Sequence, residues 1–169
     1  ALAKIGYTVK TNVVGTFTTI TLNKITLAGS EDGTTKTAFY TKGTIDLSYT
    51  SSSTTASLWN TSSSDKQNFT WFSGNQKLTD KVADNTNYLF VIPQDFSATA
   101  TDKLYVIVDY TINYNTGVQM KNTVRKKLEK DFEQGKEYKI NLSIGLTPIE
   151  FEADVTSWAD GGKEDITWE

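Results

Sequence analysis

The sequence predicts an all-β domain, an antiparallel sandwich of two sheets with seven to nine strands. Three observations carry that expectation. Apolar residues recur with a period of two in one segment after another. The composition suits pleated sheet, with eight Tyr, eight Phe and four Trp beside abundant Thr, Val and Ile. Polar loops and turns separate the apolar runs at short intervals, the pattern of sandwiches and barrels. At 169 residues the chain can bury roughly 70% of its extended surface, so it needs no covalent staples.

The elements follow in order. Ala3, Ile5, Tyr7 and Val9 share one face of a strand, with Lys4, Thr8 and Lys10 on the other. Ile20 and Leu22 keep one parity and Ile25 and Leu27 the other, which predicts a bulge at Asn23-Lys24. The cluster AGSEDG at 28–33 is a turn. Ile45, Leu47 and Tyr49 alternate with Thr44, Asp46 and Ser48, and polar loops at 50–57 and 60–68 flank Leu58 and Trp59. FTWF at 69–72 reads as a short strand. YLFVIP at 88–93 is a continuous apolar run, expected of a central strand that Pro93 ends. Leu104, Val106, Val108, Tyr110, Ile112 and Tyr114 form an unbroken stripe, and the NTG turn at 115–117 sends the chain back through Val118 and Met120. Val124, Leu128 and Phe132 recur every four residues as in a helix, while Val124, Lys126 and Leu128 alternate as in a strand; the strand is the favoured reading, to about 128, followed by a tight turn ending at Gly135. Tyr138, Ile140, Leu142, Ile144 and Leu146 mark the last long strand. Beyond Pro148 the parity flips to Ile149, Phe151, Ala153 and Val155, as where a strand bends or passes to the other sheet. The expected core includes Ile5, Tyr7, Leu47, Val106, Val108, Tyr138, Ile140, Leu142 and Phe151. One domain covers 1–158, and 159–169 is a C-terminal tail.

The missing residue types narrow the chemistry. With no Cys and no His, the chain cannot alone assemble a Ser-His-Asp or Cys-His centre or a zinc site of the usual ligands. Neither catalysis nor a cofactor nor a metal is expected. Carboxylates remain, and Glu150, Glu152 and Asp109 are the candidates for glycoside hydrolysis. Alternation places them on solvated faces instead. SEDG at 30–33 and ADGGKED at 159–165 lack the spacing of a calcium loop and read as acidic turns. A net charge of −3 argues against nucleic acid, whose binding rests on phosphate neutralisation. The basic run Lys121, Arg125, Lys126, Lys127 and Lys130 reads as protection of an edge strand. Asn60, Asn68 and Asn141 begin N-glycosylation triplets. Trp59, Trp71, Trp158 and Trp168 could stack on sugars, although core packing is the more common place for Trp in a sandwich.

FEQGKEYKINLSIGLTPIEFEADVTSW at 132–158 resembles the closing motif of the fimbrillin family. The motif is an aromatic, then Gly-Lys-x-Tyr opening a long strand, an Ile-x-Phe step and Val-x-x-Trp. Its residues here are Phe132, Gly135, Lys136, Tyr138, Ile149, Phe151, Val155 and Trp158. ALAKIGYTVKT at 1–11 is similar to the strand opening that family's second domain, and YLFVIPQ at 88–94 to the strand before its penultimate hairpin. The resemblance implies a type V pilin-like subunit of the bacterial surface with two transthyretin-like sandwich domains. By it, this chain is the second domain, and the first domain and an N-terminal lipid anchor to the outer membrane lie before Ala1. It also implies other fimbrial subunits, or a host or bacterial surface ligand, as partners, with strand exchange as the mode of assembly. Strand addition needs an extended donor with alternating anchors. In the tail only Ile166 and Trp168 alternate, fewer than a stalk donor carries, which leaves tip, anchor and non-pilus surface roles open. A second function class is a carbohydrate-binding module of an outer-membrane nutrient system, carried by exposed aromatics such as Trp59 or Trp71.

Overall fold

A computed structural model describes residues 2–13, 15–46, 59–62, 64–84, 87–146, 152–159 and 162–166, the last two stretches through their backbone. Every regular element among these residues is a strand. Of sixteen strands, eight run five residues or more: β1 (Ala3–Thr11), β2 (Thr18–Ala28), β7 (Phe69–Lys77), β11 (Leu104–Tyr114), β12 (Gln119–Leu128), β14 (Glu137–Ile144), β15 (Glu152–Ala159) and β16 (Gly162–Ile166). The other eight are two or three residues long: β3 (Phe39–Tyr40), β4 (Gly43–Ile45), β5 (Trp59–Thr61), β6 (Lys66–Gln67), β8 (Ala83–Asp84), β9 (Leu89–Val91), β10 (Gln94–Asp95) and β13 (Asp131–Phe132).

Two sheets enclose one core. Sheet I has the order β16-β15-β14-β1, with β8 and β9 sharing the far edge of β1. Sheet II has the order β12-β11-β2-β7. Short ribbons β3–β6, β4–β5 and β10–β13 complete the molecule. Ile5, Tyr7, Val106, Val108, Tyr138, Ile140 and Leu142 are buried in one apolar cluster fed by both sheets, as their parity predicts. Leu47 and Phe151 lie outside the described residues. Tyr7 of β1 meets Trp71 of β7 edge to face, with centroids 4.8 Å apart, across the two sheets.

The alternation that predicts sheet II also predicts its irregularity. Asp109 opposes Lys24 and Tyr110 opposes Leu22, so Asn23 is the extra residue of a bulge. That one-residue insertion keeps Leu22 and Ile25 both at zero exposure despite their opposite parity. The β11–β12 hairpin turns at Gly117, whose φ of +84° only glycine adopts freely.

Three expectations need correction. Sheet I is not wholly antiparallel, because β1 runs parallel to β14 from Lys4↔Glu137 to Thr11↔Ile144. The intervening chain makes this possible by travelling through sheet II between the two strands. The run at 88–93 is no central strand: among the described residues β9 pairs only with Ala3–Ile5 at the edge of sheet I. Val91 and Ile92 are buried there, but Phe90 is 63% exposed. Finally, β15 returns antiparallel beside β14 in the same sheet, so the chain does not cross to the other sheet after Pro148.

Candidate functional site

The closing motif forms one end of the core. Gly135 takes φ +72° in the turn after β13, and its N–H donates to Leu2 O at 3.0 Å, tying the turn to the start of β1. The turn delivers Tyr138 to zero exposure, where Glu133 N–H donates to its hydroxyl at 2.8 Å. Burial pushes the Tyr138 phenol up to about 12. Its ring meets Phe132 at 4.9 Å, and the contacts continue through Phe96 and Phe39 to Phe69 of β7. An unbroken aromatic chain thus joins sheet I to sheet II, which accounts physically for the aromatic and the Tyr of the motif. In β15, Val155 lies opposite Ile140 on one side and Ile166 on the other, and Trp158 lies between Glu137 and Lys163. Ile149, Phe151 and Trp168 fall outside the described residues.

The tail residues 162–166 extend sheet I. β16 pairs with β15 from Val155↔Ile166 to Ala159↔Gly162, and among the described residues it is the outermost strand of that side. β12, one outer strand of sheet II, is charged, with Lys121 and Arg125 exposed, and β16 likewise carries Lys163, Glu164 and Asp165 in its sequence. Charged side chains on an edge discourage further pairing.

The residues weighed for other chemistry scatter. Asp109 accepts from Thr123 Oγ1 at 2.6 Å and has Lys24 across the other strand, so no second carboxylate faces it. Glu152 is placed opposite Ser143, and Glu150 lies outside the described residues. Among the described residues no group of three acidic side chains could hold a metal ion. Asp32 in the SEDG turn is satisfied locally. It accepts Thr34 N–H and Thr35 N–H at 2.9 Å each and also the Ser30 and Thr35 hydroxyls, which hold its carboxyl well below the usual range. Asn68 is spent on structure too: its Oδ1 accepts Gly29 and Ala38 N–H, and its Nδ2 donates to Gly33 O and Lys36 O. Trp71 is core, with its indole N–H on Asn87 O at 3.1 Å.

Two surfaces were not anticipated from sequence. One is a polar groove of about 860 Å³ on the outer face of sheet II at the Asn23 bulge. Its side chains are cross-linked, Asn23 to Asn75 at 2.9 Å, Thr111 to Asn23 at 2.7 Å and Asn113 to Thr21 at 3.0 Å. The other is a pocket of about 300 Å³ where β5, β10 and β13 meet Tyr40 and Asp102, with Trp59 as one wall. Trp59, Pro93 and Phe132 carried signals in the sequence, as an aromatic, a strand end and a motif residue, but none that pointed to a pocket. The remaining lining residues come from distant segments whose convergence no spacing encodes.

No protein-family model matches the chain, and no curated protein matches it. Among solved structures it is similar to a fimbrial protein from Bacteroides vulgatus, at 18% identity and a TM-score of 0.48, over 99% of this chain and 55% of that one. The chain thus spans about half the length of that protein, and a likeness of this size assigns no function.

Proposed function

We propose that this chain is a non-catalytic structural or adhesive subunit of a bacterial surface fimbria, a type V pilin-like domain that associates with other subunits by strand pairing at the cell surface. The observation that carries the reading is the C-terminal hairpin. β15 and β16 prolong sheet I beyond β14, so among the described residues the segment holding Ile166 is an edge strand, and a further strand added to it would have to match the charges of Lys163, Glu164 and Asp165. The closing motif supports it as well, since its Gly135 turn and buried Tyr138 shape the start of the strand on which that hairpin is built. A lipid-anchored parent protein in which this chain is the second domain belongs to the same proposal.

Deletion of 163–169 in the full reading frame tests the reading. Loss of fibres or of adhesion, with the β-sheet circular dichroism of the domain kept, is the expected outcome. Normal assembly after the deletion rejects the tail as the pairing element.

A further inference from the structure

Two buried polar atoms without a hydrogen-bond partner among the described residues, Trp59 Nε1 and Gln94 Oε1, belong to residues lining the same pocket. Buried polar groups are nearly always paired, so two orphans at one hollow ask for a ligand or an ordered water. Gln94 is only 7% exposed, and its orientation is fixed. Its Nε2 donates to Ala38 O at 2.9 Å and to Asp102 Oδ2 at 2.8 Å, which leaves Oε1 as an acceptor. Asp102 is in turn held by Lys66, whose Nζ lies 2.6 Å away and also covers the Tyr40 ring.

The remaining charges are unbalanced. Asp95 and Asp131 stand directly opposite each other in the β10–β13 ribbon, line the pocket, and form no ion pair among the described residues. Like charges facing across a ladder repel. The Asp131 carboxyl is raised by burial first and by Asp95 and Glu133 next, against Lys136 and Lys130. With Asp102 paired to Lys66, and Asp95 Oδ1 accepting Ser97 N–H at 2.8 Å, Asp95 and Asp131 are the carboxylates of the pocket without an ion pair among the described residues, and an indole face suits an organic cation. On the other side of Trp59 and Tyr40 lies a cleft of about 510 Å³ of mixed character, with Leu2, Phe90 and Ile92 beside Thr41, Lys42 and Gln67.

We infer that the pocket beside Trp59 receives a lysine or arginine side chain of a partner polypeptide, whose apolar neighbours lie in the cleft across the indole. The charge of the pocket selects the cation. The adjoining cleft selects a polypeptide, which presents apolar groups beside the basic one. The inference concerns this pocket alone and holds whether or not the chain polymerises.

The test is a titration of the whole ¹⁵N-labelled chain with acetyl-Leu-Lys-Leu-amide, followed at the Trp59 indole resonance. Comparison peptides carry norleucine or Nε-acetyl-lysine at the centre. Saturable shifts are expected around Trp59 and Gln94, with the uncharged peptides weaker by about tenfold. The Asp95→Asn/Asp131→Asn double variant, nearly isosteric and checked by unchanged resonances elsewhere, should lose a similar factor, and raised salt should weaken the charged peptide alone. Equal binding of charged and uncharged peptides overturns the inference. So does no shift up to roughly 10 mM peptide, or binding of glucose or N-acetylglucosamine at Trp59 in place of the peptide.

Discussion

Sheet II is assembled from antiparallel neighbours throughout, and its two central strands share a ladder of ten residue pairs interrupted once, at Asn23. Sheet I joins the two ends of the chain. Its centre is the parallel pair β1–β14, eight residue pairs between segments 133 positions apart, supported by Lys4–Glu137 at 3.0 Å and by Thr11 Oγ1 donating to Ile144 O at 2.6 Å. A hairpin such as β11–β12 closes a short loop at little entropic cost, while β1 reaches β14 only after most of the chain is placed. The two sheets share one core but differ in when their contacts can form.

Mutations can break that comparison at either sheet. Val108→Asp, at zero exposure in the middle of sheet II, should cost about 4 kcal/mol or more, since it buries an unpaired charge. A urea midpoint equal to the wild type would mean that the stripe does not face the core. Ile5→Ala in β1, also at zero exposure, should cost about 2–5 kcal/mol through cavity formation. Stopped-flow kinetics sharpen the contrast: Ile5→Ala should act mainly on unfolding, and Val108→Ala mainly on refolding. Equal partition for both would remove the proposed order. Smaller again is Asn68→Ala, which frees four backbone groups around the 29–37 loop. A loss of about 1–3 kcal/mol is expected, with faster amide exchange at Gly29 and Ala38 as the readout.

The same contrast explains what could be read without coordinates. The 104–114 stripe, the bulge at Asn23 and the Gly117 turn are local, and alternation with turn chemistry encodes them. The parallel pairing of β1 is not local, and an alternating pattern is the same for either strand direction. Residues 88–93 misled because an apolar run does not report how many neighbours a strand has. At the edge of sheet I, Val91 and Ile92 turn inward while Phe90 stays exposed. The aromatic motif residues Phe132 and Tyr138 were legible as a resemblance, but their role in joining the sheets appears only with Phe96 and Phe39 in place. Asn68 looked like a glycosylation triplet, and its contacts with the loop, 30 residues or more away in sequence, left no local sign.

The smallest expected effect lies at the β10–β13 ribbon, which belongs to neither main sheet. Asp131→Asn should stabilise the protein at neutral pH. Burial raises the Asp131 carboxyl, and the facing Asp95 raises it further. A carboxyl whose folded value exceeds its unfolded one is bound more tightly to its proton in the folded state, so the ionised form costs stability at every pH above the folded value. That cost disappears as the pH falls through the folded value towards the unfolded one, about 3.9 for Asp. The variant's advantage should therefore be full at pH 7 and absent near pH 3. Asp131 is exposed, so solvent screens the repulsion and the gain belongs to the range of about 0.2–1 kcal/mol for a cross-strand pair, or about 1–3 °C in melting temperature for a chain of this size. Salt should shrink the difference, and so should the lysine peptide, which supplies the missing counter-charge to the wild type alone. An advantage that persists unchanged at pH 3 would assign the effect to packing and remove the charge imbalance on which the cation pocket rests.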